Sequence, residues 1–391
     1  MNDRRRGFLK AAAATAISRS RILGANQRIR IGGIGLGGRC RYLLTVAGKE
    51  PDTEIVGACD VYEPRRRETL EKIAPGAREY LDYRQLLERQ DIDAVFVGSP
   101  DHWHVPMTID AVRSGKDVYV EKPVTKKIEE GPLLEQAVAQ TGRIVQIGYQ
   151  QRSWEHFIAA REIVAAGKLG KITLVLASWY QNYLGFNPKT AQIEADKLDR
   201  KRWLGNAPDQ PLDAVKYNRW RWFWDFGGGH LTDLYSHYCD VIHWYMDSYT
   251  PQSALTMGER YVLDYLECPD TVNASYAYPG FQVVYNGTLS GHLEGGNIIF
   301  RGSQAMLKIN RDGFDVYPEG VVPAEKTNYP PPTASMRSAR DGTIDHIRNF
   351  LDCVRSRQAP NAPAAPSVAA ARAAHIGNLA YRSGGRLDWK G

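Results

Sequence analysis

Arg30-Ile31-Gly32-Gly33-Ile34-Gly35-Leu36-Gly37-Gly38-Arg39-Cys40 decides the fold, because here an apolar strand runs straight into a turn made of glycine. Glycine reaches positive φ without a Cβ penalty, and a helix starting at Arg39 would aim unpaired N–H groups and its dipole at one anionic point. A pyrophosphate fits such a point. Two registers compete. Gly33, Gly35 and Gly38 complete GxGxxG, whereas Gly35, Gly37 and Cys40 fit the turn's distance from the strand better, with a small thiol in the third place. The second register is preferred, which makes Gly35, Leu36, Gly37, Gly38 and Arg39 the expected cradle.

The next apolar run, Ile55 to Cys59, ends in Asp60, twenty residues past Cys40. A carboxylate there holds the adenosine ribose hydroxyls and repels a 2′-phosphate, so the expected cofactor is NAD. Arg65, Arg66 and Arg67 keep NADP possible. Further strands are predicted at Ile29 to Ile34, Ala94 to Val97, Val118 to Val120 and Ile144 to Ile147, with helix stops at Gly115 and Gly142. This alternation predicts an α/β domain at 28–150 with a parallel, doubly wound sheet, whose ligands bind beyond the carboxyl ends of its strands.

Two polar clusters fall at such ends. Ser99-Pro100-Asp101-His102-Trp103-His104 reads as a cofactor wall; the metal alternative, from Asp101, His102 and His104, lacks a further ligand placed by sequence, so no metal is expected. Ser99, Pro100 and His104 are therefore taken as cofactor-binding, with Glu121 of the second cluster, Glu121-Lys122-Pro123. Pro123 fixes a turn directly after Lys122, which puts the ammonium near the nicotinamide end. A surface Glu and Lys is the plainer reading of that tripeptide.

Beyond Tyr149 strands follow strands. A helix from Trp154 to Ala166, stopped by Gly167, precedes runs at Ile172 to Tyr180, Gln282 to Tyr285 and Ile298 to Phe300. A second, α+β domain at 151–391 with a large, mostly antiparallel sheet is expected. Near its end Ile344, Ile347, Leu351 and Val354 mark an amphipathic helical arm, the Pro-Ala run 360 to 366 a linker, and Ser367 a helix cap.

Gly227 to Trp244 should form a helix after a glycine turn. Leu231, Leu234, Tyr238, Val241 and Tyr245 make an apolar stripe, and His230, Asp233, His237, Asp240 and Trp244 the stripe beside it. A solvated face would carry Lys, Glu or Arg, and none occurs from Gly227 to Met246. Asp233 and His237, one turn apart, suit general acid–base work on a cleft wall or a structural pair. The aromatics of Trp220-Arg221-Trp222-Phe223-Trp224 suit stacking on sugar rings or a packed core.

Residues 1–27 contain Arg5-Arg6-Gly7-Phe8-Leu9-Lys10 before the small apolar run Ala11 to Ile17, which resembles a twin-arginine export leader. Export to the periplasm is the expectation, and a basic tail on a cytoplasmic protein the alternative. Residues 1 to 30 hold eight Arg or Lys against one Asp, +7 of the formal +6, so the remaining body is −1. Nucleic acid and anionic membrane are thereby disfavoured as partners, and no other stretch approaches a membrane span. Cys40, Cys59, Cys239, Cys268 and Cys353 form no CxxC pair and read as reduced core residues.

The glycine turn, the Ser99 to His104 loop, Glu121-Lys122-Pro123 and the Asp233-x-x-x-His237 helix, in this order and spacing, resemble the glucose-fructose oxidoreductase and inositol dehydrogenase (Gfo/Idh/MocA) family. The resemblance covers about residues 28 to 390 and implies that Lys122 is the active-site lysine, Asp233 orients substrate, and His237 accepts the substrate hydroxyl proton. Arg152, Trp224 and His230 are added as substrate residues. Departures are Cys40 for a glycine and Asp101 where many relatives have Asn. The implied activity is a NAD(P)-dependent oxidoreductase acting on a sugar, cyclitol or glycoside with a tightly held cofactor. The alternative is a NAD-dependent glycosidase working by transient oxidation and elimination. A homo-oligomer through the C-terminal sheet is expected.

Overall fold

A computed structural model describes residues 28–320 and 329–391. The leader, residues 1–27, lies outside the described residues.

The first domain has strands β1 (Ile29–Ile34), β2 (Thr53–Cys59), β3 (Arg78–Tyr80), β4 (Ala94–Val97), β5 (Asp117–Val120) and β6 (Val145–Ile147). Helices α1 (Gly38–Ala47), α2 (Glu63–Lys72), α3 (Tyr83–Leu87), α4 (His104–Arg113) and α5 (Glu130–Thr141) connect them. All strand pairs are parallel, in the order β3-β2-β1-β4-β5-β6. The order reverses beside β1, so the crevice between the ends of β1 and β4 is where a doubly wound sheet takes its ligand. β4 and β5 are buried along their whole length, as strands covered on both faces must be.

The second domain contains α6 (Glu155–Ala165), β7 (Ile172–Tyr180), the short helices α7 (Arg200–Leu204) and α8 (Ala214–Asn218), and α9 (Ser236–Met246). Then come β8 (Ser253–Glu259), β9 (Thr271–Tyr278), β10 (Phe281–Thr288), β11 (Gly296–Gly302), β12 (Ala305–Asn310), β13 (Gly313–Pro318) and β14 (Ala334–Arg337). Helices α10 (Gly342–Ser356) and α11 (Ala364–Ser383) and strand β15 (Leu387–Asp388) close the chain. The nine-stranded sheet has the order β14-β13-β12-β11-β7-β10-β9-β8-β15, antiparallel except where β10 lies along β7. One face is covered by α9 and α11, which pack on each other. Val175, Ala177 and Trp179 of β7 are buried in that layer, and Leu176 and Ser178 between them are only half-buried, the period of two expected of a sheet covered on one side.

The C-terminal arm crosses between domains. The apolar stripe of α10 places Ile347, Phe350, Leu351 and Val354 in a core with Leu43, Leu44, Phe96 and Tyr119 of the first domain. Phe96 and Tyr119 stack at 5.1 Å, with Phe350 edge-on to both. Two local expectations are corrected. Ser367 is no cap: α11 already starts at Ala364 after Pro363, whose fixed φ suits a helix start, and Ser367 is buried inside it. The helix after the glycine turn opens with a wide π-helical turn, Leu231–Tyr235, before α9.

Candidate active site

The turn after β1 adopts the second glycine register. Gly33 lies within β1, where a Cβ would meet the Leu44 side chain at 2.6 Å. Gly35 carries the left-handed backbone, φ +76°, and a Cβ there would sit 2.5 Å from the Ser99 nitrogen and 2.6 Å from its Cα. Gly37 begins α1 without a side-chain cap, and nothing lies within 4 Å of where a Cβ on Gly37 or Gly38 would project. Cys40 is buried, and the room for it comes from Gly98, whose Cβ would lie 2.7 Å from that of Cys40. The glycine that such turns place on the helix is here on the facing strand end.

Asp60 is buried at the end of β2. Its Oδ2 accepts the Leu36 N–H at 2.7 Å and its Oδ1 the Tyr62 N–H at 2.8 Å, so the carboxylate braces the glycine turn. Of the three arginines that follow, Arg65 lies 3.9 Å from Asp60 and over the Tyr217 ring. Arg66 is tied to the Asp60 carbonyl and to Glu79, and Arg67 is exposed beside Glu71. A cleft of about 320 Å³ runs from Asp60 past Gly35, Gly37, Gly38, Ser99 and Pro100 to Arg221.

The second domain roofs this cleft. The Asp199 N–H donates to the Val61 carbonyl at 3.0 Å, Arg202 pairs with Asp82 at 3.3 Å, and the Trp203 carbonyl accepts from Trp103 Nε1 at 3.0 Å. Tyr217 packs edge-on against Tyr62. The Gly35 cradle, the uncapped start of α1 and the enclosed cleft fit a dinucleotide, with its phosphates at α1 and its ribose beside Asp60.

Where the cleft reaches Arg221 the two domains share charges. Lys122, whose peptide bond to Pro123 is cis, donates from Nζ to Asp233 Oδ1 and to the Asp233 carbonyl, both at 2.6 Å. Arg221 Nε donates to the same Oδ1 at 3.1 Å. Asp233 lies in the π-helical turn, a feature that recurs at functional sites. Burial would raise its pKa, yet the Lys122 and Arg221 charges outweigh burial and hold it below the usual carboxylate range. Its Oδ2 accepts no hydrogen bond among the described residues.

His237 stands one turn on, its ring stacked on Trp179 at 5.6 Å and edge-on to Tyr149 at 6.0 Å. Its Nδ1 is buried and unpartnered. Burial first, then the charges of Lys122, Arg311 and Arg39, push its pKa well below the ordinary value. Glu121 accepts from Arg39 Nε at 2.8 Å; burial raises its pKa, but Arg39 and Lys122 outweigh that and keep it low. Asp101 is the opposite case, raised well above the usual range by burial and then by Asp233.

Not every expected residue joins this group. His104 is buried between the Ser99 and Pro123 carbonyls, at 2.9 and 2.7 Å, and ties together the loops after β4 and β5. His102 turns to the Trp203 carbonyl, so Asp101, His102 and His104 do not converge. Arg152 is spent on Asp240, both oxygens lying within 3.0 Å of its Nε. His230 is occupied in the core by the Tyr285 hydroxyl and the Asp270 carbonyl. Trp224 stacks on Tyr381 away from the cleft. Trp220 and Arg221 face the cleft, whereas Trp222 and Phe223 are core. Arg221 and Arg311 were not expected at the site; the first is the one cation in an aromatic run, and the second sits in an unremarkable hairpin turn.

Residues 29–149 match the oxidoreductase family, NAD-binding Rossmann fold (Gfo/Idh/MocA), and residues 157–308 match the Gfo/Idh/MocA C-terminal domain. The chain belongs to this family. Its first domain is an NAD-binding Rossmann domain. The chain is 28% identical to an inositol 2-dehydrogenase of Salmonella typhimurium over 183 residues, 46% of this chain and 53% of that protein. It is 37% identical to a Bacillus subtilis scyllo-inositol 2-dehydrogenase (NAD(+)) over 90 residues, 23% of this chain and 26% of that protein. The matched stretches thus span about half or less of these relatives' length. A Lactobacillus casei scyllo-inositol dehydrogenase with bound NAD(H) and scyllo-inositol superposes with a TM-score of 0.71 at 20% identity, over 93% of this chain and 99% of that one. An oxidoreductase domain protein from Kribbella flavida gives 0.74 at 19% identity, over 93% and 100%. At such identities the likeness is one of fold.

Proposed function

We propose that the chain is a NAD(P)-dependent oxidoreductase that oxidises a hydroxyl of a sugar or cyclitol with a tightly held cofactor. The observation that carries this is the Lys122–Asp233 pair between two domains, with His237 one turn from Asp233, joined through Arg221 to one end of the dinucleotide cleft. A bound nicotinamide supplies the hydride acceptor. Lys122 offers positive charge to the oxygen being oxidised and is itself fixed by Asp233. The free Oδ2 of Asp233 orients a neighbouring hydroxyl. His237, neutral at physiological pH and with an unpartnered nitrogen, takes the hydroxyl proton. The roof from Asp199 to Tyr217 supports tight retention, because a dinucleotide leaves only when those contacts part. The relatives named above are dehydrogenases, which favours net redox over glycoside cleavage.

The test is single-turnover formation of reduced nicotinamide, followed by absorbance, across a panel of sugars, cyclitols and glycosides. Release of an aglycone without reduced cofactor would overturn the dehydrogenase reading. We also propose export by the twin-arginine route, motivated by Arg5 and Arg6. A protein with Arg5→Lys and Arg6→Lys should stay in the cytoplasm, and its arrival in the periplasm would refute this. Self-association through the open face of the nine-stranded sheet, where Leu255 and Met257 are exposed, completes the reading.

A further inference from the structure

Of the cations around His237, all but one hold an anionic side chain. Lys122 and Arg221 share Asp233, Arg39 has Glu121 at 2.8 Å, and Arg152 has Asp240 at 2.8 Å. Arg311, in the turn between β12 and β13, has no hydrogen-bond or ion-pair partner among the described residues, and its Nε is buried. Its guanidinium lies 4.8 Å from the centre of the Trp179 ring, the same ring on which His237 is stacked. The carboxylates that act on it, Asp341 and Glu121, already have partners. Asp341 is engaged by the Tyr42 hydroxyl at 2.6 Å and the Thr343 N–H at 2.9 Å, and Glu121 is taken by Arg39.

A half-buried guanidinium without a counter-charge is costly, and a cation–π contact replaces only part of what an anion would give. We infer that Arg311 is a specificity-determining residue of the site and that the substrate carries a carboxylate: a sugar acid rather than a neutral sugar or cyclitol. This rests on the oxidoreductase reading above and narrows it. The planar guanidinium matches a carboxylate through two parallel N–H···O bonds. The Trp179 ring joins the two roles, with His237, for the reacting hydroxyl, stacked on it and Arg311, for the carboxylate, 4.8 Å from its centre.

The probes are D-glucuronate and D-galacturonate, each against its neutral aldose, titrated by calorimetry into the NAD-loaded full chain. The native protein should bind at least one uronate about 10- to 100-fold more tightly than its aldose. Arg311→Gln should abolish that preference without altering aldose or NAD binding, and Arg311→Lys should restore part of it. Equal binding of acid and aldose, binding of neither, or a preference that survives Arg311→Gln overturns the inference. Arg311-dependent uronate binding with no reduction of NAD would leave the inference standing and sink the oxidoreductase reading, so the two fail separately.

Discussion

Replacing Gly35 by alanine separates the shape of the cradle from its affinity for a ligand. The residue sits at φ +76°, and a left-handed conformation costs a non-glycine residue about 1–2 kcal/mol. The added methyl would also stand 2.5 Å from the Ser99 nitrogen and 2.6 Å from its Cα, atoms of main chain that cannot swing aside as a side chain can. Displacing that backbone adds about 1–3 kcal/mol, the usual cost of overpacking. Gly35→Ala should therefore lose about 2–5 kcal/mol of stability in cofactor-stripped protein, measured by urea denaturation. Gly37→Ala and Gly38→Ala meet open space and ordinary backbone, so their stripped proteins should lie within about 1 kcal/mol of native. Their loss should appear only in calorimetric NAD titration, because a methyl there occupies the approach to the phosphates. A Gly35→Ala protein as stable as native, or Gly37→Ala as damaged as Gly35→Ala, would refute the assignment of the turn.

His237→Ala and Lys122→Ala should each slow single-turnover reduction of bound cofactor by about 10²- to 10⁴-fold while NAD affinity stays near native; native-like rates would remove the pair from the chemistry. Asp60 should make the protein prefer NAD, and NADP binding of equal strength would shift attention to Arg65, the one arginine of its run beside that carboxylate. Acid should destabilise the fold early. Burial holds His102, His230, His346 and His375 down to about 4 and His243 to about 3, so from about pH 6.5 downward the unfolded chain binds protons that the folded chain refuses. Each imidazole then costs about 1.4 kcal/mol per pH unit, opposed by Asp101 and Asp240, whose raised pKa values act in the reverse sense. Urea midpoints that do not fall between about pH 7 and pH 5 would contradict this burial.

The first domain was legible because its strands are short apolar runs closed by glycine, and because Asp60 and Lys122 stand at strand ends where the fold has few alternatives. β3 escaped, as three residues of which two are exposed leave no pattern. Most of the second sheet escaped for a related reason: the middle of β9 is Asn273, Ala274 and Ser275, small or polar residues that mute the alternation by which a strand is read. The stripe on the glycine-turn helix was visible, but His230 to His243 are buried on every side, so one stripe could not mark which members faced the cleft. Only position in space separates Asp233, which meets Lys122 and Arg221, from Asp240 and His230, which are tied to Arg152 and to the core. Arg221 and Arg311 carried no local signal, since the partners that give them meaning, Asp233 and Trp179, are distant in the chain.

Lys122 and Asp233 join the domains through a buried ion pair, and such pairs return little stability once desolvation is counted. What the pair supplies here is position, since it fixes the nicotinamide end of one domain against the helix that carries His237. The second cation on the same carboxylate changes what mutation can reveal. Stripping one partner from a buried pair ordinarily costs about 3–5 kcal/mol, because a charge is left uncompensated. In Lys122→Ala, Asp233 would still hold Arg221 at 3.1 Å, so the loss of folding stability should fall short of that range. The loss of rate would not be softened in the same way, because Arg221 reaches only Oδ1 and not the main-chain carbonyl that Lys122 also engages. A Lys122→Ala protein that folds normally yet is slow in chemistry is therefore the expected result, and one that is unfolded would mean that Arg221 does not share the carboxylate.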